Sequence, residues 1–143
     1  MLMGESQHSL DVKGRVTIPA KFREELGTCF VAAKGLENCI YLYPQHEWEI
    51  VVGRMREMSA GQQEARAFQR FFFSGAAEME MDKQGRVILP PNLREYADID
   101  KQVYITGVVN RLEIWDADKW ETYNTAAAQS FVDNAANLID FGF

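Results

Sequence analysis

The sequence predicts an α+β protein, rich in β-strands, in which two copies of one short module form a single pseudo-symmetric β-barrel flanked by helices. Three observations lead to this prediction. One motif occurs twice in the chain, short runs with alternating apolar residues follow it in each copy, and helical patterns lie between and after the copies. At 143 residues, the chain fits either one domain or two small modules that share a core.

The repeated motif is the clearest internal signal in the chain. The segment DVKGRVTIPAKFRE, which begins at Asp11, aligns with DKQGRVILPPNLRE, which begins at Asp82. Asp, Gly, Arg, Val, Pro, Arg and Glu recur in the same order in both segments. After a shift of one residue, the match continues from Gly35 in the first copy and from Gly107 in the second. An ordered match of this extent indicates a duplicated module.

Each copy is predicted to run through a polar approach and a Gly-containing turn into a strand, a short helix and two further strands. Val16 and Ile18 in the first copy, like Val87 and Leu89 in the second, show the alternation of a half-buried strand. A proline then ends this strand because it cannot donate to a ladder. The predicted helices cover residues 20–26 and 91–97, and the later strands cover residues 29–35, 39–44, 102–107 and 111–116.

Helical patterns connect and follow the two modules. A first helix is predicted with Pro44 at its first helical position, and a second over residues 62–75, after an interruption near Ser59. After the second copy, Asp116 is a predicted N-cap, and residues 126–139 complete a C-terminal helical tail.

Four phenylalanines lie on the second connecting helix: Phe68, Phe71, Phe72 and Phe73. Such a cluster could be functional. Apolar residues on a connecting helix more often pack in the core or between subunits, and we expect these roles here.

The two copies are predicted to form one intertwined body. A single copy buries too little apolar surface to offset the entropy lost on ordering it, whereas two copies can pair their open strand edges. No linker rich in Gly, Ser or Pro separates them. We therefore predict a first module at residues 5–47, a helical connection at 48–75, a second module at 76–119 and a helical tail at 120–143.

Composition indicates a folded protein, with 47% hydrophobic and 25% charged residues. Apolar runs are far too short to span a bilayer, and the opening MLMGESQHSL has neither a basic flank nor an apolar signal segment. We therefore expect a cytoplasmic protein that does not bind membranes. The two cysteines, Cys29 and Cys39, are predicted to be small core or strand residues rather than metal ligands.

The net charge of −6 argues against indiscriminate binding to phosphate backbones. The acidity belongs to the second half, because residues 1–75 carry nine basic and nine acidic residues, whereas residues 76–143 carry six and twelve. Four cations lie close together in the first copy: Lys13, Arg15, Lys21 and Arg23. A local basic patch on an acidic body is therefore possible.

Both copies of the motif resemble the DxxxR signature of the AbrB-like, swapped-hairpin DNA-binding modules of bacteria. Together with HEWE after the first copy, ARAFQRFFFSGA between the copies and NRLEIWDADKWE after the second, they make nearly the whole chain similar to the MraZ family. The resemblance implies tandem SpoVT/AbrB-like domains in a nucleoid-associated transcriptional regulator without a cofactor. This regulator would usually repress the division and cell-wall gene cluster, and would bind direct repeats in its own promoter as a closed ring of identical subunits.

Arg15 is the first candidate for a DNA contact, because the guanidinium fork suits either a phosphate or the N7 and O6 atoms of guanine. The AbrB-like resemblance implies the same role. Alternatively, Arg15 only pairs with Asp11 across the turn and fixes the hairpin, and both roles could hold at once. Lys13, Lys21 and Arg23 are predicted phosphate contacts, although Lys21 could equally be a solvated surface residue.

The second copy retains Arg86 as a candidate DNA contact but has less basic character. Gln84 stands in place of Lys13, and Asn92 stands in place of Lys21. We therefore expect the first copy to carry most of the DNA binding, while the second closes the barrel. The glycines supply permissive backbone at the turns, and the predicted structural residues of the motif are Asp11, Gly14, Asp82 and Gly85.

The sequence contains no pattern typical of an enzyme. His8 and His46 lack a second ligand at metal-type spacing, and GxSxG, HExxH and a Gly-rich phosphate loop are absent, so we expect neither a catalytic nor a metal site. A protein-binding scaffold or antitoxin is the alternative, with the C-terminal helix through Phe131, Leu138 and Ile139 as its docking face. An antitoxin usually has one copy and a disordered tail, which this sequence does not show.

Overall fold

The computed structural model describes residues 1–58 and 60–138, which form eight strands and five helices. The first copy and its connection comprise β1 (Leu2–Ser9), β2 (Arg15–Thr17), α1 (Ala20–Leu26), β3 (Cys29–Lys34), β4 (Ile40–Pro44), α2 (Gln45–Arg56) and α3 (Gln63–Ser74). The second copy and its tail comprise β5 (Ala77–Glu80), β6 (Arg86–Ile88), α4 (Pro91–Tyr96), β7 (Gln102–Val109), β8 (Leu112–Asp116) and α5 (Ala117–Asn137).

The two copies exchange their first strands. Six strands form one antiparallel sheet in the order β1-β7-β8-β4-β3-β5, so β1 pairs with the second copy and β5 with the first. The strands β2 and β6 pair with each other in a separate two-stranded sheet, which we call the ribbon. Exchanging the two copies leaves this order unchanged, so the fold has pseudo-twofold symmetry.

The six-stranded sheet is open. Within residues 1–58 and 60–138, no ladder joins its edge strands β1 and β5, because each is paired only on its inner side. The α+β, strand-rich class predicted above is confirmed, whereas the closed barrel is not. The exchanged strands extend the sheet at its two ends rather than bringing these ends together.

The two faces of the sheet bury different layers. On one face, the ribbon, α1 and α4 cover a core in which both copies contribute to one apolar cluster, including Val16, Phe22, Val87 and Leu93. On the other face, α2, α3 and the start of α5 cover aromatic residues of the sheet. Because neither copy has a core of its own, the prediction of one shared body is confirmed.

Most predicted elements occur where the local pattern placed them. The alternation over Val16, Ile18, Val87 and Leu89 is confirmed, since all four side chains are buried. The Asp116 side chain accepts a hydrogen bond from the Lys119 backbone N–H and caps α5, as predicted.

Two local predictions were wrong. The polar approach at the N-terminus is the strand β1, and Pro44 ends β4 and precedes α2 instead of being its first helical residue. Proline suits the position before α2, because Pro44 has φ of −55° and ψ of 151°, an extended conformation in which the ring is unstrained, and it stands at a strand end. Ser59 and Ile139, named above for the helix interruption and the docking face, lie outside the described residues.

The aromatic and cysteine residues divide between the core and the surface. Phe72 is buried and stacks on Trp48 of α2, with ring centroids 5.7 Å apart, whereas Phe68 and Phe71 remain exposed on α3. Cys39 is buried beside the sheet, while Cys29 is an exposed residue of β3. None of the helices in the described ranges has the length and apolar character needed to cross a bilayer.

Candidate nucleic-acid interface

Two nearly identical turns precede the ribbon strands, one in each copy. In the first turn, Asp11 Oδ1 accepts hydrogen bonds from the backbone N–H groups of Lys13 and Arg15, both at 2.9 Å. Asp11 Oδ2 accepts a third bond from Arg15 Nε at 2.6 Å. The Gly14 N–H donates to the Asp11 carbonyl at 3.0 Å and completes the turn. The segment from Asp11 to Arg15 therefore forms a turn that is closed by the Asp11 carboxylate.

The second turn repeats this geometry. Asp82 Oδ1 accepts from the N–H groups of Gln84 at 2.9 Å and Arg86 at 2.8 Å, and Asp82 Oδ2 accepts from Arg86 Nε at 2.9 Å. The Gly85 N–H donates to the Asp82 carbonyl at 3.0 Å. Gln84 occupies the position that Lys13 has in the first copy. The turn is the same in both copies, because only the backbone of this residue takes part in it.

Glycine is required in both turns. Gly14 has φ of +77° and Gly85 has φ of +80°, a left-handed conformation that costs a residue with a side chain about 1 kcal/mol or more. Both glycines are also buried. The predicted role of the two aspartates and the two glycines, to form the turns before the ribbon strands, stays a prediction that this geometry supports.

The ribbon brings the two motif arginines to one exposed face. Its register pairs Arg15 with Ile88, Val16 with Val87, and Thr17 with Arg86. Because the two valines point into the core, the flanking residues of both strands point outward. Arg15 and Arg86 are thus diagonal neighbours, a relation that separates Cα atoms by roughly 7–8 Å.

The bonding of these arginines leaves part of each guanidinium available. Among the described residues, the Arg15 and Arg86 side chains donate hydrogen bonds only through Nε. Their side chains are 27% and 34% exposed, respectively. Pairing with the turn aspartate and contact with a ligand through the terminal nitrogens are therefore compatible, so both roles considered for Arg15 remain open.

The other predicted contacts have different surroundings. Lys13 is exposed at the tip of the first turn. Lys21 is exposed on α1, with Nζ 5.0 Å from the Phe22 ring centroid and close to Gly4 of β1. Arg23 is half-buried, and its Nε donates to the Ile18 carbonyl at 2.8 Å. Arg15 and Arg86 therefore share the outer face of the ribbon, and Lys13 lies in the turn just before Arg15. Arg23 lies against Gly85 of the second turn, and Lys21 lies beside β1.

Two further cations lie in this region, and the sequence analysis assigned neither of them to the candidate site. Lys83 is exposed in the second turn, one position before Gln84, and supplies a cation where the aligned residue does not. Arg94 of α4 donates from Nε to the Leu89 carbonyl at 3.0 Å, as Arg23 does to Ile18 in the first copy. The signal for Arg94 was its recurrence at the position equivalent to Arg23.

The hydrogen bonds of the turns lower the pKa values of both aspartates. The backbone N–H of Arg15 is the main cause for Asp11, and that of Arg86 for Asp82. A carboxyl whose pKa is lower in the folded than in the unfolded chain stabilises the fold above its unfolded pKa. This stabilisation is lost as the pH falls through the lowered pKa of the folded state.

Acidification is therefore expected to destabilise the wild type more than the Asp11→Asn/Asp82→Asn protein, whose amides do not titrate. Urea unfolding between about pH 6 and pH 2 measures this difference, which should develop only below about pH 4. Asp133→Asn, on an exposed turn of α5, is the matched control and should retain the wild-type acid dependence. Equal acid sensitivity of the wild type and the double variant would contradict the prediction.

The described residues contain no cluster of three or more His, Cys, Asp or Glu side chains that could hold a metal ion. The only buried ionisable acid among them is Glu113, which lies on the helix-covered face of the sheet and is bonded to Arg111 and Trp115. The arrangement at the ribbon consists of guanidinium and ammonium groups on a two-stranded surface, which is suited to binding anions.

Comparison with known proteins agrees with the duplication. A family model described as "MraZ protein, putative antitoxin-like" matches twice, at residues 1–71 and 72–142. The chain is 57% identical to the transcriptional regulator MraZ of Syntrophomonas wolfei over 142 residues, which cover 99% of each chain. It is 53% identical to that of Natranaerobius thermophilus over 141 residues, again 99% of each, and 52% identical to that of Desulforamulus reducens over 140 residues, 98% of this chain and 99% of the relative. The chain therefore belongs to the MraZ family, a family of transcriptional regulators and not of enzymes.

Proposed function

We propose that this protein is a sequence-specific DNA-binding repressor that contacts double-stranded DNA through the outer face of the ribbon. The observation that carries the proposal is the presence of Arg15 and Arg86 on that one face, each oriented by its own aspartate. A two-stranded ribbon fits the major groove, and a guanidinium can donate two bonds to the acceptors of guanine. Orientation by a carboxylate reduces the rotamer freedom that binding would otherwise remove.

The cations at the turns would bind the phosphates that flank the groove. Lys13 and Lys83 are both exposed and lie next to the ribbon strands, so they can fix the register of the protein without reading the sequence. Lys21 is a further candidate on α1. The first copy would contribute more through Lys13 and Lys21, while Arg86 contributes from the second.

The acidic body favours a mechanism that depends on several weak contacts. With a net charge of −6, a single ribbon has little general affinity for DNA, but linked ribbons bind successive sites at high effective concentration. We therefore propose a closed ring of identical subunits that binds direct repeats in the promoter of its own gene, within the division and cell-wall cluster. Exposed apolar residues support subunit contacts: Phe131 and Val132 on α5, and Leu138 directly after it. A cytoplasmic, nucleoid-associated protein follows from this proposal.

Replacing Arg15 by alanine is expected to weaken binding to the promoter by about five- to 150-fold for each ribbon engaged, which corresponds to the roughly 1–3 kcal/mol of a bidentate base contact. Fluorescence anisotropy with DNA from upstream of its own gene, and with a scrambled duplex of equal length, measures the change. The wild type should prefer the promoter, and each phosphate that it neutralises should add about −0.9 to the slope of log affinity against log salt.

Val12→Ala is the matched control for this experiment, because Val12 is fully exposed in the same turn and carries no charge. It should leave the affinity unchanged. Lys13→Ala should lower the affinity for both duplexes equally, as expected for a contact that does not read bases. Equal binding of promoter and scrambled DNA by the wild type would refute sequence-specific recognition.

A protein-binding scaffold of the antitoxin type is the second candidate function. Its support is the part of α5 beyond Tyr123, whose side chains are largely exposed, together with the antitoxin-like wording of the family description. Under this alternative, Arg15→Ala would have no effect, and a Phe131→Asp substitution would abolish the complex with the partner protein. Loss of promoter binding by Arg15→Ala, with the oligomeric state unchanged, favours the ribbon.

A further inference from the structure

Each turn of the candidate interface is packed against an arginine from the other copy. At Gly14 of the first copy, an added Cβ atom would lie 2.7 Å from Cζ of Arg94, which belongs to α4 of the second copy. At Gly85 of the second copy, an added Cβ atom would collide with Cζ and Nε of Arg23, which belongs to α1 of the first. The guanidinium groups therefore occupy the space that a side chain at either glycine would need.

Backbone hydrogen bonds hold the same partners together. The Ile18 N–H donates to the Gly85 carbonyl at 2.8 Å, and the Leu89 N–H donates to the Gly14 carbonyl at 3.0 Å. Arg23 donates in turn to the Ile18 carbonyl, and Arg94 to the Leu89 carbonyl. Each arginine is thus fixed to the strand end that bonds to the opposite turn.

We infer that Arg23 and Arg94 are positioning residues that act across the two copies, so that Arg94 supports the turn bearing Arg15 and Arg23 supports the turn bearing Arg86. The part of this inference that concerns DNA rests on the proposed function. Arg23 and Arg94 donate to backbone carbonyls, whereas Arg15 and Arg86 donate only to the aspartate of their own turn among the described residues. Arg23, predicted from the sequence as a phosphate contact, is reassigned by this inference to support of the second copy's turn.

The crossed arrangement has a spectroscopic consequence that does not depend on DNA. With glycine-selective 15N labelling, Arg94→Ala should shift the amide resonance of Gly14 and leave that of Gly85 in place. Arg23→Ala should do the reverse. Arg94→Lys and Arg23→Lys keep the charge but lose the Nε donor, so they should give the same crossed pattern in a milder form. Shifts confined to the turn of the mutated copy, or equal shifts in both turns, would overturn the inference.

The same relation between the two copies should determine which pairs of substitutions have additive effects on DNA affinity. If Arg94 acts only through the first turn, Arg94→Ala and Arg15→Ala each weaken binding by about tenfold, and the double variant is weakened by about tenfold rather than a hundredfold. Arg94→Ala combined with Arg86→Ala should instead be additive. Arg23→Ala should be non-additive with Arg86→Ala and additive with Arg15→Ala.

The two experiments separate the inference from the proposed function. If the crossed amide shifts occur but the wild type does not bind its promoter, the positioning contacts stand and DNA recognition by the ribbon fails. If Arg23→Ala reduces the salt slope by about 0.9 and leaves both glycine amides unshifted, Arg23 is a phosphate contact and the inference is wrong. If either alanine variant fails to fold, the amide shifts of Gly14 and Gly85 in the Arg94→Lys and Arg23→Lys variants decide the inference.

Discussion

Replacing Leu112 by alanine is expected to lower the free energy of unfolding by about 2–5 kcal/mol, the range for removing a large aliphatic side chain from a packed core. Leu112 is fully buried in β8, directly opposite Leu42 of β4, at the centre of the six-stranded sheet. Because the two copies share this core, a change in the second copy should destabilise the first copy equally. Urea unfolding, followed by far-UV circular dichroism and by tryptophan fluorescence, should show one coincident transition at a lower midpoint.

Leu42→Ala, on the facing strand, should give a loss of similar size, and the double variant should deviate from additivity because the two residues are directly opposite each other. Val12→Ala is the exposed control and should change the midpoint very little. All proteins are compared at one protomer concentration, since assembly of the proposed ring would contribute to the measured stability. Two separate transitions in Leu112→Ala would contradict a single shared core.

Replacing Glu113 by alanine is expected to cost about 2–4 kcal/mol, although this residue lies far from the ribbon. Glu113 is 8% exposed and accepts hydrogen bonds from Arg111 Nε and Trp115 Nε1, both at 3.0 Å. The same carboxylate forms an ion pair with Arg111, whose Nη2 lies 2.8 Å from Oε2. Its removal leaves these donors without an acceptor and leaves the Arg111 guanidinium, 4.4 Å from the Tyr41 ring centroid, without its counter-ion. The unfolding midpoint in urea measures the loss.

Glu113→Gln keeps an acceptor for these donors and should lose less than half as much stability as Glu113→Ala. A double variant, Arg111→Met/Glu113→Leu, removes both charges together and should recover most of the stability, since an ion pair and an apolar pair of similar volume are often nearly equivalent. The DNA affinity of each folded variant should match that of the wild type. A Glu113→Ala protein as stable as the wild type would show that water satisfies the freed groups.

Local sequence patterns were sufficient where an element depends on its own residues. The alternation around Val16 and the run of helix-forming residues in α1 are properties of short segments, so their positions could be predicted. β1 could not, because LMGESQHS contains few residues with high strand propensity and exposes most of its side chains. It is a strand because β7, far away in sequence, supplies a complete ladder.

The candidate interface was predictable to the same degree. Pairing of Arg15 with Asp11 within one turn was among the roles expected from the spacing of the motif, and the bond between them is present. The contact between Arg23 and Gly85 was not predictable from spacing, since it depends on how the second copy folds over the first. Recurrence of an arginine at positions 23 and 94 indicated a duplicated role but not its direction.

The exchanged strand β1 has a consequence for synthesis on the ribosome. Leu2 at its start pairs with Val109, so the first strand to be translated waits for its partner until most of the chain has been made. At about 5–20 residues per second, this delay lasts several seconds or more. During that time the nascent first copy lacks the residues of the second copy that cover its half of the shared core. A chain that ends before β7 lacks the partner of β1 and half of the shared core, so we expect it to be unfolded rather than half of a working regulator.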